Sequence, residues 1–169
     1  QGNSAGNSGG GMYATLFSSV VVSLGARVDV IKNTAVALYG GGLYLQSSRL
    51  DVSGNGTRLV VQGNSAGRSG GGVFAASTSS VVVSLSARVD VINNTAVASY
   101  GGGLYLQNPD TRLDVSGNGT RLVVQGNSAG QVGGGVVAAS AASVVVSLGA
   151  RVDVIDNTAV TVVGGGLYL

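Results

Sequence analysis

The feature that most constrains this chain is a nearly literal internal repeat. Runs of three glycines recur at intervals of 30 to 32 residues, beginning at Gly9, Gly40, Gly70, Gly101, Gly133 and Gly164. Two versions of the unit alternate along the chain, so that segments such as GNSAGNSGGG are followed by segments such as KNTAVALYGGG. A fixed period of this length is typical of solenoids, in which each repeat stacks on its neighbours.

Each unit contains three short strand-like runs, for example GGGLYL, RLDVSG and TRLVVQGN. Clusters of Gly, Asn, Ser and Thr separate these runs and favour turns, and no segment shows helical periodicity. Leucine-rich repeats and propeller blades require other spacings. We therefore predict an all-β fold, a right-handed parallel β-helix with about five coils, three strands per coil and about 31 residues per coil. Residues 1–169 are expected to form a single repeat array.

Stacked coils should place equivalent residues above one another at the inter-strand spacing of about 4.8 Å. One column opens the third strand and contains Arg27, Arg58, Arg88, Arg121 and Arg151. A second column follows each arginine by six residues and contains Asn33, Asn64, Asn94, Asn127 and Asn157. The aliphatic residues between them, such as Leu122 and Val124, should face the core. We interpret the asparagines as structural turn residues that tolerate a left-handed backbone and hydrogen-bond along the axis.

Aromatic residues occupy one position of the first strand, at Tyr13, Tyr44, Phe74, Tyr105 and Tyr168, with Val137 in the remaining coil. Because Leu43 and Leu45 should face inward, the residue between them should face out. This external column either stacks only on itself or makes a lateral contact with a sugar, a partner or a sister shaft. Glycosylation sequons begin at Asn55, Asn93 and Asn118, although chance can produce them in turns of this composition.

The residue types present serve catalysis poorly. Asp29, Asp90 and Asp153 recur on every second coil, and paired carboxylates can hydrolyse glycosides. The chain has no His, Cys or Glu to act beside them, so we expect a solvated Asp stripe that neutralises the arginines, no catalytic residues, and neither lyase nor hydrolase activity. The glycine runs lack the residues of nucleotide or calcium loops, so we expect no metal site and no cofactor.

Charge and hydropathy also limit the partners of the chain. Its net charge of +2 comes without a basic cluster, so nucleic-acid binding is not expected. No apolar run approaches the roughly 20 residues of a transmembrane helix. The outer coils look incomplete and uncapped, so we expect the stack to continue through flanking coils or to self-associate end to end.

The repeat motifs GGG-[LVM] and VxxN, the latter at Val61 to Asn64 and at Val91 to Asn94, resemble the GGA-[ILV] and FxxN motifs of chlamydial polymorphic membrane proteins. The resemblance covers the whole chain but departs from that family at both motifs. It implies a β-helical autotransporter passenger exposed at the cell surface and engaged in adhesion. Fold-level likeness is a weak guide to function. Two functions therefore stay open: a passive extracellular shaft or filament, and an adhesin that binds host or polysaccharide ligands along one face.

Overall fold

In a computed structural model that describes residues 1–169, the chain is an all-β solenoid of parallel strands. It makes about five turns of about 31 residues each, which confirms the predicted class and period. The turns pass through four parallel sheets, two with six strands and two with five. Each strand pairs with the equivalent strand of the coil before or after it, so every sheet runs the length of the stack.

Three of the sheets are built from the longer strands. The first sheet contains β2 (Met12–Ala14), β6 (Leu43–Gln46), β10 (Val73–Ala76), β14 (Leu104–Gln107), β18 (Val136–Ala139) and β22 (Leu167–Tyr168). The second sheet contains β3 (Ser19–Ser23), β7 (Arg49–Ser53), β11 (Ser80–Ser84), β15 (Arg112–Ser116) and β19 (Ser143–Ser147). The third sheet contains β4 (Arg27–Ile31), β8 (Arg58–Gln62), β12 (Arg88–Ile92), β16 (Arg121–Gln125) and β20 (Arg151–Ile155).

The fourth sheet, here called the corner sheet, has strands of only two residues. It contains β1 (Ser4–Ala5), β5 (Thr34–Ala35), β9 (Ser65–Ala66), β13 (Thr95–Ala96), β17 (Ser128–Ala129) and β21 (Thr158–Ala159). The sequence predicts a tight corner here and not a paired strand. Two residues are too few to show the alternation that identifies a strand, so the fourth sheet lies beyond what periodicity can detect. No helix in the structure is long and apolar enough to cross a bilayer.

The strands of the second sheet pair in register although the two types of coil differ by one residue in the turn that follows. The runs SVVVS and RLDVS differ by one residue in their distance from the following arginine, yet Ser80 pairs with both Arg49 and Arg112. Residues 24–26 connect the second and third strands in one type of coil, and residues 54–57 make the same connection in the other. The turn therefore absorbs the extra residue, and the third strands stay in register.

The interior of the coil is a continuous aliphatic core. Leu43 and Leu45 of the first sheet, Val52 of the second, and Leu59 and Val61 of the third are all buried. Their equivalents in neighbouring coils belong to the same cluster of 24 buried residues. Burying one such side chain contributes about 1.5–3 kcal/mol, and the chain has no cysteine with which to form a disulfide. The core thus depends on like residues stacking on like.

The triple glycines mark a place where successive coils approach one another closely. A Cβ atom on Gly72 would lie 2.6 Å from the carbonyl oxygen of Gly103, which is closer than real Cβ atoms come to backbone. The backbone nitrogen of Gly103 in turn donates to the carbonyl oxygens of Gly134 and Gly135. Glycine is therefore required here by inter-coil spacing, which is why the motif recurs in every unit.

Candidate functional site

The asparagine column is a chain of buried hydrogen bonds parallel to the solenoid axis. The backbone nitrogen and Nδ2 of Asn64 both donate to Oδ1 of Asn94, each at 2.9 Å. Asn94 makes the same two bonds to Asn127, at 2.9 and 3.0 Å. The column continues through Asn33 at one side and Asn157 at the other, and Asn3 adds a sixth member. Each coil is thereby joined to the next through a side chain as well as through backbone pairing.

One expectation about this column is wrong. The ladder asparagines do not adopt the left-handed backbone that a turn role suggests. The residue before each of them does, as at Lys32, Gly63 and Asn93, with φ between 53° and 63°. The free Nδ2 hydrogen of Asn94 instead reaches back to the carbonyl oxygen of Val61 at 2.9 Å. The asparagine is selected for its amide, which bridges three coils, and not for its backbone freedom.

The arginine column is tied to the aspartates by ion pairs. Arg88 donates from Nε to Oδ1 of Asp90 in its own strand at 2.8 Å, and Arg58 of the preceding coil reaches Oδ2 of the same carboxylate at 2.6 Å. Arg121 and Arg151 hold Asp153 in the same way, and Arg27 pairs with Asp29. The Asp90 side chain is fully buried, so the predicted solvated stripe is wrong at that position. Arginine is long enough to reach the next coil and covers the carboxylate.

The electrostatics of the Asp153 ion pairs favour an ionised carboxylate. A hydrogen bond from the Arg151 side chain, assisted by Arg121, holds the pKa of Asp153 below its ordinary value of 3.8. A lowered pKa is the reverse of what a general acid at neutral pH requires. Two further pairs on the second sheet, Arg49 with Asp51 and Arg112 with Asp114, join residues of one strand at 2.8 and 2.9 Å, with a single arginine for each carboxylate. The arrangement is suited to charge balance along the solenoid.

The aromatic column leaves the coil interior but is not uniformly exposed. Tyr13 stacks on Tyr44 with ring centroids 4.7 Å apart, and Tyr44 stacks on Phe74 at 5.3 Å. Tyr13 is more than half exposed, whereas Phe74 and Tyr105 are buried. Burial raises the pKa of the Tyr44 and Tyr105 hydroxyls, with a further contribution from neighbouring tyrosines. The expectation of a solvent-facing column is therefore wrong for its central members.

A second row of residues, missed from the sequence, covers this column. Tyr39 stacks on Phe74 with centroids 4.5 Å apart, and Tyr100 lies against Tyr105 at 5.7 Å. Both tyrosines directly precede a triple glycine in alternate units, where the other units carry Ser69 or Val132. Because they pack across the corner from a different segment, strand alternation gave no signal for them. The two rows together form one aromatic face on the outside of the solenoid.

The aromatic face contains a cavity where the column is interrupted. Val137 stands at the aromatic position of its coil and pairs with Tyr105 below and Tyr168 above. The short side chain leaves a cavity of about 270 Å³ lined by Tyr100, Tyr105, Val132, Val137, Ala139 and Tyr168. A smaller cavity of about 70 Å³ adjoins it, shares Tyr100 and Tyr105, and is bordered by Arg68 and Gln107.

Two of the three sequons lie in turns in which the threonine has structural partners, whereas Thr95 of the third lies in the corner sheet. Asn55, Asn93 and Asn118 are exposed. Thr57 is buried, and its Oγ1 accepts from the backbone nitrogen of Gly25 at 3.0 Å and donates to the carbonyl oxygen of Ser53. Thr120 accepts equivalently from Ser86. Repetition of Asn-Gly-Thr thus has a reason in turn geometry, and glycosylation stays a prediction.

No three metal-type ligands come together in the structure. Comparisons with protein families, curated proteins and solved structures found no match to this chain. Its function is therefore inferred from the geometry above.

Proposed function

We propose that this chain is a non-enzymatic structural shaft of a cell-surface or extracellular repeat protein or filament. The observation that carries the proposal is the asparagine column, an unbroken chain of inter-coil hydrogen bonds from Asn3 to Asn157. Such a column stabilises the stack along its axis and adds nothing to any local pocket. A molecule with this design gains length by adding coils.

The ionisable groups support a structural role. Seven of the arginines are ion-paired, and their carboxylate partners on the second and third sheets are Asp29, Asp51, Asp90, Asp114 and Asp153. A guanidinium stays protonated at any ordinary pH, so these arginines cannot act as general acids or bases. Repetition of the same pair along the shaft also argues against one active site.

We also propose the handedness of the solenoid, the number of strands in each coil and the way in which the stack is extended. We take the solenoid as right-handed, because parallel crossover connections are right-handed in about 98% of cases. We take each coil as three long strands plus the two-residue corner strand. The outer coils expose interior positions such as Val146 and Leu167, which supports continuation of the stack by flanking coils or by end-to-end docking of copies. The resemblance to chlamydial polymorphic membrane proteins supports the cell-surface location in this proposal, because it implies a surface-exposed β-helical passenger.

The proposal predicts the behaviour of the isolated chain. At micromolar concentration we expect elongated species larger than a monomer, because exposed strand edges and apolar interior positions should associate. We also expect no release of sugar products from polysaccharides. Sedimentation velocity over a concentration series measures the first, and a reducing-sugar assay measures the second. A stable monomer together with turnover that is lost on Asp90→Ala would overturn the proposal.

A second function, adhesion along one lateral face, has one observation in its favour. Aromatic side chains and an arginine form a continuous outer surface that the stacking of coils does not require. Tyr13 and Tyr100 keep more than a third of their surface exposed, and Tyr100 lines both adjoining cavities. Surfaces rich in tyrosine and arginine are typical of binding sites.

A further inference from the structure

We propose that the aromatic face binds an acidic polysaccharide, with a sugar ring in the cavity at Val137 and a ring carboxylate on Arg68. This inference rests on the adhesive alternative and is independent of how the shaft assembles. It assigns one chemical class of ligand to one groove, which the two adjoining cavities form between Arg68 and Tyr168. Three features of the groove support it.

The first feature is the charge on Arg68. Every other arginine of the chain pairs with an aspartate, whereas the Arg68 guanidinium lies over the ring of Tyr39, 5.8 Å from the ring centroid, with no carboxylate partner. Arg68 is exposed and borders the smaller cavity. In a chain that otherwise matches each arginine with an acid, this is the one guanidinium whose charge no internal carboxylate balances. Charge complementarity therefore calls for an anionic ligand.

The second feature is the size and position of the cavity at Val137. Rings of the aromatic column lie 4.7 to 5.4 Å apart where the column is continuous. Tyr105 and Tyr168 are separated by two strand spacings, about 9.6 Å, with only Val137 between them. The cavity therefore has space for one further ring between two tyrosines. A pyranose ring suits it, because its apolar face can lie on an aromatic ring while tyrosine hydroxyls and Gln107 remain available to its hydroxyl groups.

The third feature distinguishes a glycan from a peptide. Peptides commonly bind solenoid and sheet surfaces by adding a strand to unpaired backbone groups. Here the backbone is already paired between coils: the nitrogen of Gly101 donates to the carbonyl oxygen of Val132, and that of Gly133 to Val163. The groove thus offers side chains and no strand edge. Arg68 and Val137 lie two coils apart, about 9.6 Å along the axis, so a polymer of acidic rings can reach both.

Binding of alginate, a polymer of uronic acids, tests the proposal, with its neutral propylene glycol ester as the matched control ligand. We expect the unmodified chain to bind alginate and not the ester, measured by isothermal titration calorimetry. Arg68→Gln should weaken binding by about 10- to 100-fold, the loss expected for one charge-assisted hydrogen bond. Arg112→Gln removes the same charge on another sheet and should change binding by less than about twofold, since such distant charges are screened.

A second variant separates loss of binding from loss of fold. Val137→Phe should complete the aromatic column, fill the cavity and weaken alginate binding by about tenfold or more, with a melting temperature at or above that of the unchanged chain. Equal binding of alginate by Arg68→Gln and Arg112→Gln, or full binding by a folded Val137→Phe, would overturn the proposal. Preference for an acidic tyrosine-containing copolymer over alginate would identify a peptide ligand and also overturn it. Absence of any binding by a chain that still assembles would reject the site and leave the shaft standing.

Discussion

Leu122→Asp is expected to destabilise the central coils by more than about 4 kcal/mol. Leu122 is 1% exposed and lies in the inward column of the third sheet between Val89 and Val152. An aspartate there has no cationic partner, because the arginines of the same strands point to the opposite face. The carboxylate must either stay charged in an apolar core or take up a proton, and both reduce stability. Chemical denaturation followed by circular dichroism measures the loss.

The control for this change is Leu24→Asp. Leu24 is 97% exposed in the turn between the second and third strands, with a left-handed φ of 58° that aspartate tolerates better than leucine. The same chemical substitution should therefore alter stability there by no more than about 0.5 kcal/mol. If Leu122→Asp proved as stable as Leu24→Asp, the inward face of the third sheet would be assigned incorrectly.

The second large effect is expected from Asn94→Ala. The Asn94 side chain accepts two hydrogen bonds from Asn64 and donates to Val61 and Asn127, all in a buried environment. Alanine removes all four of these bonds and leaves the backbone nitrogen of Asn64 without its partner. Each buried polar group left unsatisfied costs about 1–3 kcal/mol, so we expect a total loss of about 3 kcal/mol or more.

Asn55→Ala provides the matched comparison for the ladder. Asn55 is exposed in a turn, and its side chain makes no hydrogen bond. Its replacement should leave the free energy of unfolding nearly unchanged, within about 0.5 kcal/mol. Hydrogen exchange adds a local measurement, because in Asn94→Ala the amide of Asn64 should lose protection before distant coils do. Equal stability of the two variants would show that the column does not stabilise the stack.

The period, the pairing partners and the core columns could be predicted because they depend only on spacing along the chain. A residue repeated every 31 positions lies above its equivalent whatever the detailed path between them. The packing of the outer surface could not be predicted from the sequence, since it depends on contacts across corners. The contact of Phe74 with Tyr39 and the ion pair of Asp90 with Arg58 are examples, because Tyr39 comes from another segment and Arg58 from another coil. The corner sheet was missed because its strands are too short to alternate.

Exposed leucines recur at one turn of the solenoid, outside both the core and the ladders. Leu24, Leu85 and Leu148 recur on every second coil, all strongly exposed and all with φ between 54° and 58°. Nothing in the structure explains why leucine occupies these positions. Their regular placement nevertheless makes them useful reporters, since they lie at the same turn of successive coils and the chain contains no cysteine.

The central claim, that the coils stack in register as a straight shaft, is tested most directly by a distance along the axis. Leu24 and Leu148 occupy equivalent turns four coils apart, after strands β3 and β19 of the second sheet. Spin labels on the double variant Leu24→Cys, Leu148→Cys can be measured by pulsed electron–electron double resonance. Four strand spacings predict a single distance distribution centred at about 20 Å. A distribution centred beyond about 30 Å, or one as broad as that of a flexible chain, would contradict the stacked solenoid.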